Sequence, residues 1–201
     1  VSLKDHYPVR LQAISNEVAR LKREQHPLCF LGDSLTESNH IKQLGRFHVV
    51  NMGIGGDMLE HPDGGLIKRL WLLPLATPSL VLVLIGINDI VWGERSIPEF
   101  TELYQKLIES LKKEAGGAPI VLCSLCPVRD HFRSHSRHVA MANVVIEDLA
   151  EAHGLPMIDL YGPLCNDEGE LRSDLTTDGL HLNEDGYQVV NRVLEAELAK
   201  Y

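Results

Sequence analysis

Residues 80–85, Leu-Val-Leu-Val-Leu-Ile, form an unbroken branched and aliphatic run with no polar alternation. A strand that faces water on one side alternates polar and apolar side chains, so this run predicts a strand covered on both faces, as at the centre of a parallel sheet. Four more short apolar runs, at residues 28–31, 47–51, 119–124 and 155–160, predict further strands. Between them the apolar period changes to that of a helix. Residues 9–25 carry Val9, Leu11, Ile14, Val18 and Leu21 on one face, and a short helix is expected over 41–44. Residues 61–73 carry Leu66, Ile67, Leu70 and Leu73, with Pro74 and Pro78 marking the exit. Pro98 opens a helix that Gly116-Gly117 ends, a helix through Val139, Ala142, Val145, Ile146 and Leu149 closes at Gly154, and residues 187–198 form the last. Five strands alternating with helices predict an α/β protein, a three-layer α/β/α sandwich around a five-stranded parallel sheet with right-handed crossovers. Strand order does not follow from the pattern alone.

Length and charge narrow the classes of function. The 201 residues, 44% of them hydrophobic, suffice for one well-buried core and are expected to form one domain, 1–201. The net charge of −9, from 19 basic and 28 acidic residues, is scattered and includes no basic block, which argues against a nucleic-acid partner. No run approaches the roughly 18 apolar residues of a membrane span, so a soluble protein is expected. The sequence begins at Val1, which leaves the compartment open: cytoplasmic, or secreted or periplasmic after loss of a signal peptide. Oligomeric state is not readable.

The first predicted strand ends in Gly32-Asp33-Ser34-Leu35, delivering a hydroxyl into the loop where an open α/β sheet places its ligands. Alone this is weak, because Ser and Asp are common turn and capping residues. Three later stretches add to it: Asn51-Met52-Gly53-Ile54-Gly55-Gly56-Asp57, Leu84-Ile85-Gly86-Ile87-Asn88-Asp89 and Thr177-Asp178-Gly179-Leu180-His181-Leu182. Together and in this order the four resemble the sequence blocks of the SGNH (GDSL) hydrolases, a family of serine esterases and lipases. The resemblance spans about residues 28–187 and implies a flavodoxin-like strand order and a carboxylic ester hydrolase. One departure is Met58, where the family often has serine or threonine, and it bears on the rim of the pocket.

A hydroxyl needs a base within reach, a group that orients the base, and donors for the oxyanion that forms. Ser34 is the candidate nucleophile, His181 the candidate base and Asp178 the candidate orienting acid, with Gly179 permitting a tight turn between them. The resemblance maps the oxyanion donors onto the Gly56 N–H and the Asn88 side-chain amide, with the Ser34 N–H as a third. Asp33, adjacent to the nucleophile, is expected to stabilise its loop, and Asp57 and Asp89 to support the site from behind. Leu35, Met58, Trp92 and Phe132 are candidate substrate contacts. No cofactor and no metal are expected.

Rival motifs fare less well. The glycines at 53, 55 and 56 lack the third glycine of a dinucleotide-binding fingerprint, Met58 standing in its place. Thr36 occupies the second glycine position of the G-x-S-x-G pentapeptide. Cys123 and Cys126 have redox or zinc half-site spacing but read better as inert thiols at a strand end. His131, His135 and His138 read better as part of a solvated loop than as zinc ligands. The expected substrate is a small ester, a lipid or an acylated carbohydrate, with short acyl or O-acetyl groups favoured. The lipid case would resemble the platelet-activating-factor acetylhydrolase branch. The alternatives are a lysophospholipase or thioesterase for longer chains, and a non-catalytic lipid- or carbohydrate-binding module.

Overall fold

The computed structural model describes residues 3–22 and 25–201. Helix α1 (Leu3–Ala19) leads into strand β1 (Leu28–Gly32), the short helix α2 (Ser34–Glu37), and strands β2 (Gln43–Leu44) and β3 (Phe47–Gly53). Helix α3 (Leu72–Ala76), strand β4 (Leu80–Leu84) and helices α4 (Ile87–Val91) and α5 (Ile97–Glu114) follow. Strand β5 (Ile120–Cys123), helix α6 (Ser136–His153), strand β6 (Met157–Ile158) and helices α7 (Tyr161–Leu164) and α8 (Glu184–Leu198) complete the chain.

The strands form one six-stranded sheet in the order β2-β3-β1-β4-β5-β6, with helices on both faces. All five predicted strands are present and parallel, and their order is the flavodoxin-like one. The sixth, β2, pairs antiparallel with β3 at the edge. The unalternating run became β4, every residue of which is buried, between β1 and β5. The register aligns Gly32 of β1 with Gly53 of β3 and Leu84 of β4, so three adjacent strands release their chains side by side.

Several expected helices are placed differently. The chain over 41–44 is not a helix: Gln43 and Leu44 turn at Gly45, with φ of +53°, to pair with His48 and Phe47. The helix in this region is α2, four residues starting at Ser34 itself and capped by Asp33, whose side chain accepts from the Leu35 N–H. Residues 61–73 do not form one helix either. They hold a 3-10 turn, Ile67–Arg69, and the start of α3, in which Pro74 occupies the first turn, where its missing N–H costs nothing. The opening helix starts at Leu3 and ends at Ala19 rather than spanning 9–25, of which residues 23–24 lie outside the described residues. Its inner face is Tyr7, Ile14 and Val18, and Val9 is 70% exposed. α5 begins with a Ser96–Glu99 capping box, α6 closes at Gly154, and α8 starts three residues before the predicted boundary, capped by Asn183.

Candidate active site

Ser34 is the first residue of α2, directly past the end of β1. Helix α2 sits hard against the strand ends, which explains two glycines there. A Cβ on Gly32 would lie 2.0 Å from Thr36 Oγ1, and one on Gly53 would lie 2.2 Å from the Glu37 nitrogen. Ser34 Oγ is 3.0 Å from His181 Nε2, and His181 Nδ1 is 2.7 Å from Asp178 Oδ2. Three side chains separated by up to 147 positions thus form a continuous hydrogen-bonded row.

The Asp178–His181 loop holds itself. Asp178 Oδ1 accepts from the N–H groups of Leu180 (3.0 Å) and His181 (2.8 Å), while the Thr176 hydroxyl donates to the His181 carbonyl (2.7 Å) and accepts from the Gly179 N–H (2.9 Å). Burial opposes the Asp178 charge, but the hydrogen bonds from the His181 ring and from the two N–H groups outweigh it and hold the carboxyl below its ordinary value. Both side chains are open to solvent, 42% for His181 and 48% for Asp178. Gly179, at φ +93°, lies against Arg129, whose N–H donates to the Gly179 carbonyl (2.9 Å), and a Cβ there would meet the Arg129 carbonyl oxygen at 2.7 Å.

The opposite side is buried and cross-linked. The Ser34 N–H, at the first position of α2, is one of the donors a helix leaves free. Gly56 has φ of +78°, and among the described residues its N–H has no hydrogen-bond partner. Asn88, 3% exposed in α4, gives one amide hydrogen to the Asp57 carbonyl (2.8 Å), which leaves the second for a ligand. Asp89 accepts from the Leu59 N–H (3.0 Å) and from Arg95 (2.8 Å), and burial pushes its carboxyl up to about 6 in spite of both. Asp33, 1% exposed, uses one oxygen to cap α2, and its Oδ2 has no partner among the described residues. Burial pushes its carboxyl up to about 7; the Leu35 N–H pulls the other way, and the neighbouring charges of Asp57 and Asp89 add to the rise.

Sequence reasoning missed the side chains that hold these loops. Arg69 is 2% exposed and pairs with Asp57 through Nε (2.9 Å), donating also to the Met52 and Gly32 carbonyls at 2.5 and 2.9 Å. From the outside, Arg10 donates to the Gly53 carbonyl (3.0 Å), and Glu37 accepts from the Gly55 N–H (2.5 Å) while pairing with His6. The signal was available: Leu66, Arg69, Leu70 and Leu73 repeat at i, i+3, i+4 and i+7, so Arg69 occupies a core position in the stripe, and Arg10 likewise falls between Tyr7 and Ile14.

The candidate substrate contacts separate into two groups. Leu35 is 2% exposed and belongs to the core, leaving almost no surface for a ligand. Met58 is half-buried beside Asp57, whose side chain accepts its N–H. Trp92, 62% exposed, meets half-buried Phe132 edge-on at 5.6 Å, and the Phe132 turn starts at Arg129, against the Gly179 loop. On the other flank a cavity of about 500 Å³ lies between Ser38–Ile41 and the start of α8, lined by Asn39, Leu182, Asn183, Tyr187 and Asn191 among others.

Among the described residues no group of three or more His, Cys, Asp or Glu side chains is arranged to hold a metal ion. His131 and His135 lie on a 3-10 turn and His138 in the first turn of α6. Cys123 and Cys126 are free and fully buried, and burial pushes the Cys126 thiol up to about 12 and that of Cys123 higher still, which keeps both protonated and inert. No described helix is long and apolar enough to cross a membrane.

The chain is 25% identical to the rat platelet-activating factor acetylhydrolase IB subunit alpha1, over 91% of this chain and 79% of that one. Its fold is that of a GDSL-like lipase from Bacteroides thetaiotaomicron, with a TM-score of 0.78 and 20% identity over 94% of this chain and 97% of the other. An acetyl xylan esterase has the same fold at a TM-score of 0.65 and 24% identity, covering 86% and 99% of the two chains. Residues 30–189 match the GDSL-like Lipase/Acylhydrolase family, so this chain belongs to that family and is a hydrolase.

Proposed function

We propose that the protein is a serine ester hydrolase acting on short-chain acyl or O-acetyl esters through Ser34, His181 and Asp178. The observation that carries the reading is the hydrogen-bonded row itself, 3.0 Å from Ser34 Oγ to His181 Nε2 and 2.7 Å from His181 Nδ1 to Asp178. Nδ1 facing a carboxylate keeps its proton, so Nε2 of the neutral ring presents a lone pair to the serine hydroxyl.

Ser34 Oγ attacks the ester carbonyl as His181 takes its proton, and the carbonyl oxygen becomes an oxyanion received by the N–H groups of Ser34 and Gly56 and the free amide hydrogen of Asn88. His181 returns the proton to the departing alcohol, leaving Ser34 acylated. Water then attacks the acyl-enzyme with His181 again as base, and collapse of the second tetrahedral intermediate releases the acid and regenerates Ser34.

Two considerations favour short acyl groups. One curated relative is named as a platelet-activating factor acetylhydrolase and one structural neighbour as an acetyl xylan esterase. The apolar side chains open to a ligand are few, chiefly Met58, Trp92 and Phe132, with Leu35 committed to the core. The test is hydrolysis of p-nitrophenyl acetate, butyrate, octanoate and palmitate by the wild type and by Ser34→Ala. The expected result is a preference for acetate or butyrate, abolished in the folded variant. A preference for palmitate would move the assignment to a long-chain lipase or thioesterase, and binding without turnover would move it to a binding module.

A further inference from the structure

Burying a guanidinium is expensive unless every donor finds an acceptor, and Leu66 and Leu70 show that aliphatic side chains fill the neighbouring core positions. Arg69 is nonetheless fully buried, and its three hydrogen bonds go to three different places. Nη2 donates to the carbonyl of Gly32, two residues before Ser34. Nη1 donates to the carbonyl of Met52, at the end of β3. Nε pairs with Asp57, the residue after Gly56, and the Asp57 carbonyl in turn accepts the Asn88 amide.

We infer that Arg69 is a positioning residue for the oxyanion donors, locking the segments that carry Ser34, Gly56 and Asn88 into one rigid body without touching substrate. This rests on the oxyanion reading proposed above. Arg10 and Arg95 also grip these loops, but from the surface, with 20% and 26% of their side chains exposed. Arg10 holds the β3 end and Arg95 the Asp89 side, and neither reaches the β1 end. The planar fork of arginine is what allows one cation to serve acceptors in divergent directions, and lysine, a point charge on a flexible stem, cannot reproduce it.

Donors aimed where charge develops act on the transition state, so loosening them lowers kcat and leaves ground-state binding alone. In Arg69→Lys and Arg69→Met, kcat on p-nitrophenyl acetate is expected to fall on the order of 10²–10³, the size of one lost oxyanion donor. KM should stay within about threefold. A trifluoromethyl ketone, which adds to serine as a tetrahedral oxyanion, should lose affinity by a similar factor, and the corresponding unreactive amide should not. Asp57→Asn, which keeps the shape and the acceptor for Gly65, should show a smaller loss in the same parameter and remains the decisive variant if both Arg69 variants fail to fold. Folded variants with wild-type kcat, or with a raised KM and unchanged kcat, would overturn the inference. If wild type proved no more active than Ser34→Ala on any ester, the hydrolase reading would fall instead. The clamp would then be judged by the Ser34 and Gly56 amide resonances of Arg69→Lys: displacement upholds it and unmoved signals overturn it.

Discussion

The two halves of the candidate site are built by opposite means. Apart from the Arg129 N–H bond to Gly179, the Asp178–His181 loop is held by bonds among residues 174–183, and the side chains of the proposed acid and base are nearly half exposed. The proposed oxyanion side draws on β1, β3, β4 and the Arg69 turn, and its polar groups are buried: Asp33, Asp57, Arg69, Asn88 and Asp89 are each at most 3% exposed. A proton carrier works with water at hand and needs only local order. Donors that must already point where a charge will appear gain from burial, because fixed dipoles in a low dielectric need no reorganisation at the moment of reaction. Chemistry and stability should therefore separate: substitutions in the exposed half should cost activity and little stability, and those in the buried half should cost both.

The largest effect is expected at His181. If His181 is the base, His181→Ala should lose on the order of 10⁶ in kcat, as loss of the base does in serine hydrolases, with a melting temperature close to wild type. A large drop in melting temperature would break the contrast. Asp178→Asn should cost on the order of 10⁴ in kcat.

In the buried half, Asn88→Ala should lower kcat by about 10²–10³ and, by leaving the Asp57 carbonyl unpaired, destabilise the fold by roughly 1–3 kcal/mol in chemical denaturation. Unchanged stability would show that this half is not the interlocked body described above.

A further effect is read in stability alone, through its pH dependence. Asp33 is raised from 3.8 to about 7 in the folded protein, so between those values the native state keeps a proton that the unfolded chain has released. Its contribution is fully present below the unfolded value and is lost as pH rises through about 7. Asp33→Asn keeps the helix cap and cannot titrate. Its melting temperature relative to wild type should therefore climb between pH 4 and pH 8, and parallel curves would show that Asp33 does not titrate in this window.

The same contrast decides what could be read from the sequence. Asp178, Gly179 and His181 lie within four residues, and a local loop leaves a local pattern. The central strand was legible because residues 80–85 lack alternation, and Ser34 stood out as a candidate only because Gly-Asp-Ser at the end of β1 is joined by three later blocks in order. Residues 41–44 misled because two residues pairing across a turn at Gly45 carry too little pattern to distinguish strand from helix. Residues 61–73 have helical spacing, but Gly65, at φ +111°, and the bonds from the Leu66 N–H to the Met58 carbonyl and from the Gly65 N–H to Asp57 pull the first half into the site. The stripe of Leu66, Arg69, Leu70 and Leu73 marks Arg69 as a core position but not what it holds, because its three partners lie 12, 17 and 37 positions away.

If Ser34 is acylated with His181 as its base, the covalent intermediate can be read by its mass. Wild type, His181→Ala and Ser34→Ala would be quenched within milliseconds of mixing with p-nitrophenyl acetate, digested and analysed by mass spectrometry. One acetyl group is expected on the peptide carrying Ser34 in wild type, and none in either variant on that timescale. Acetylation at another residue, or equal acetylation without His181, would contradict it.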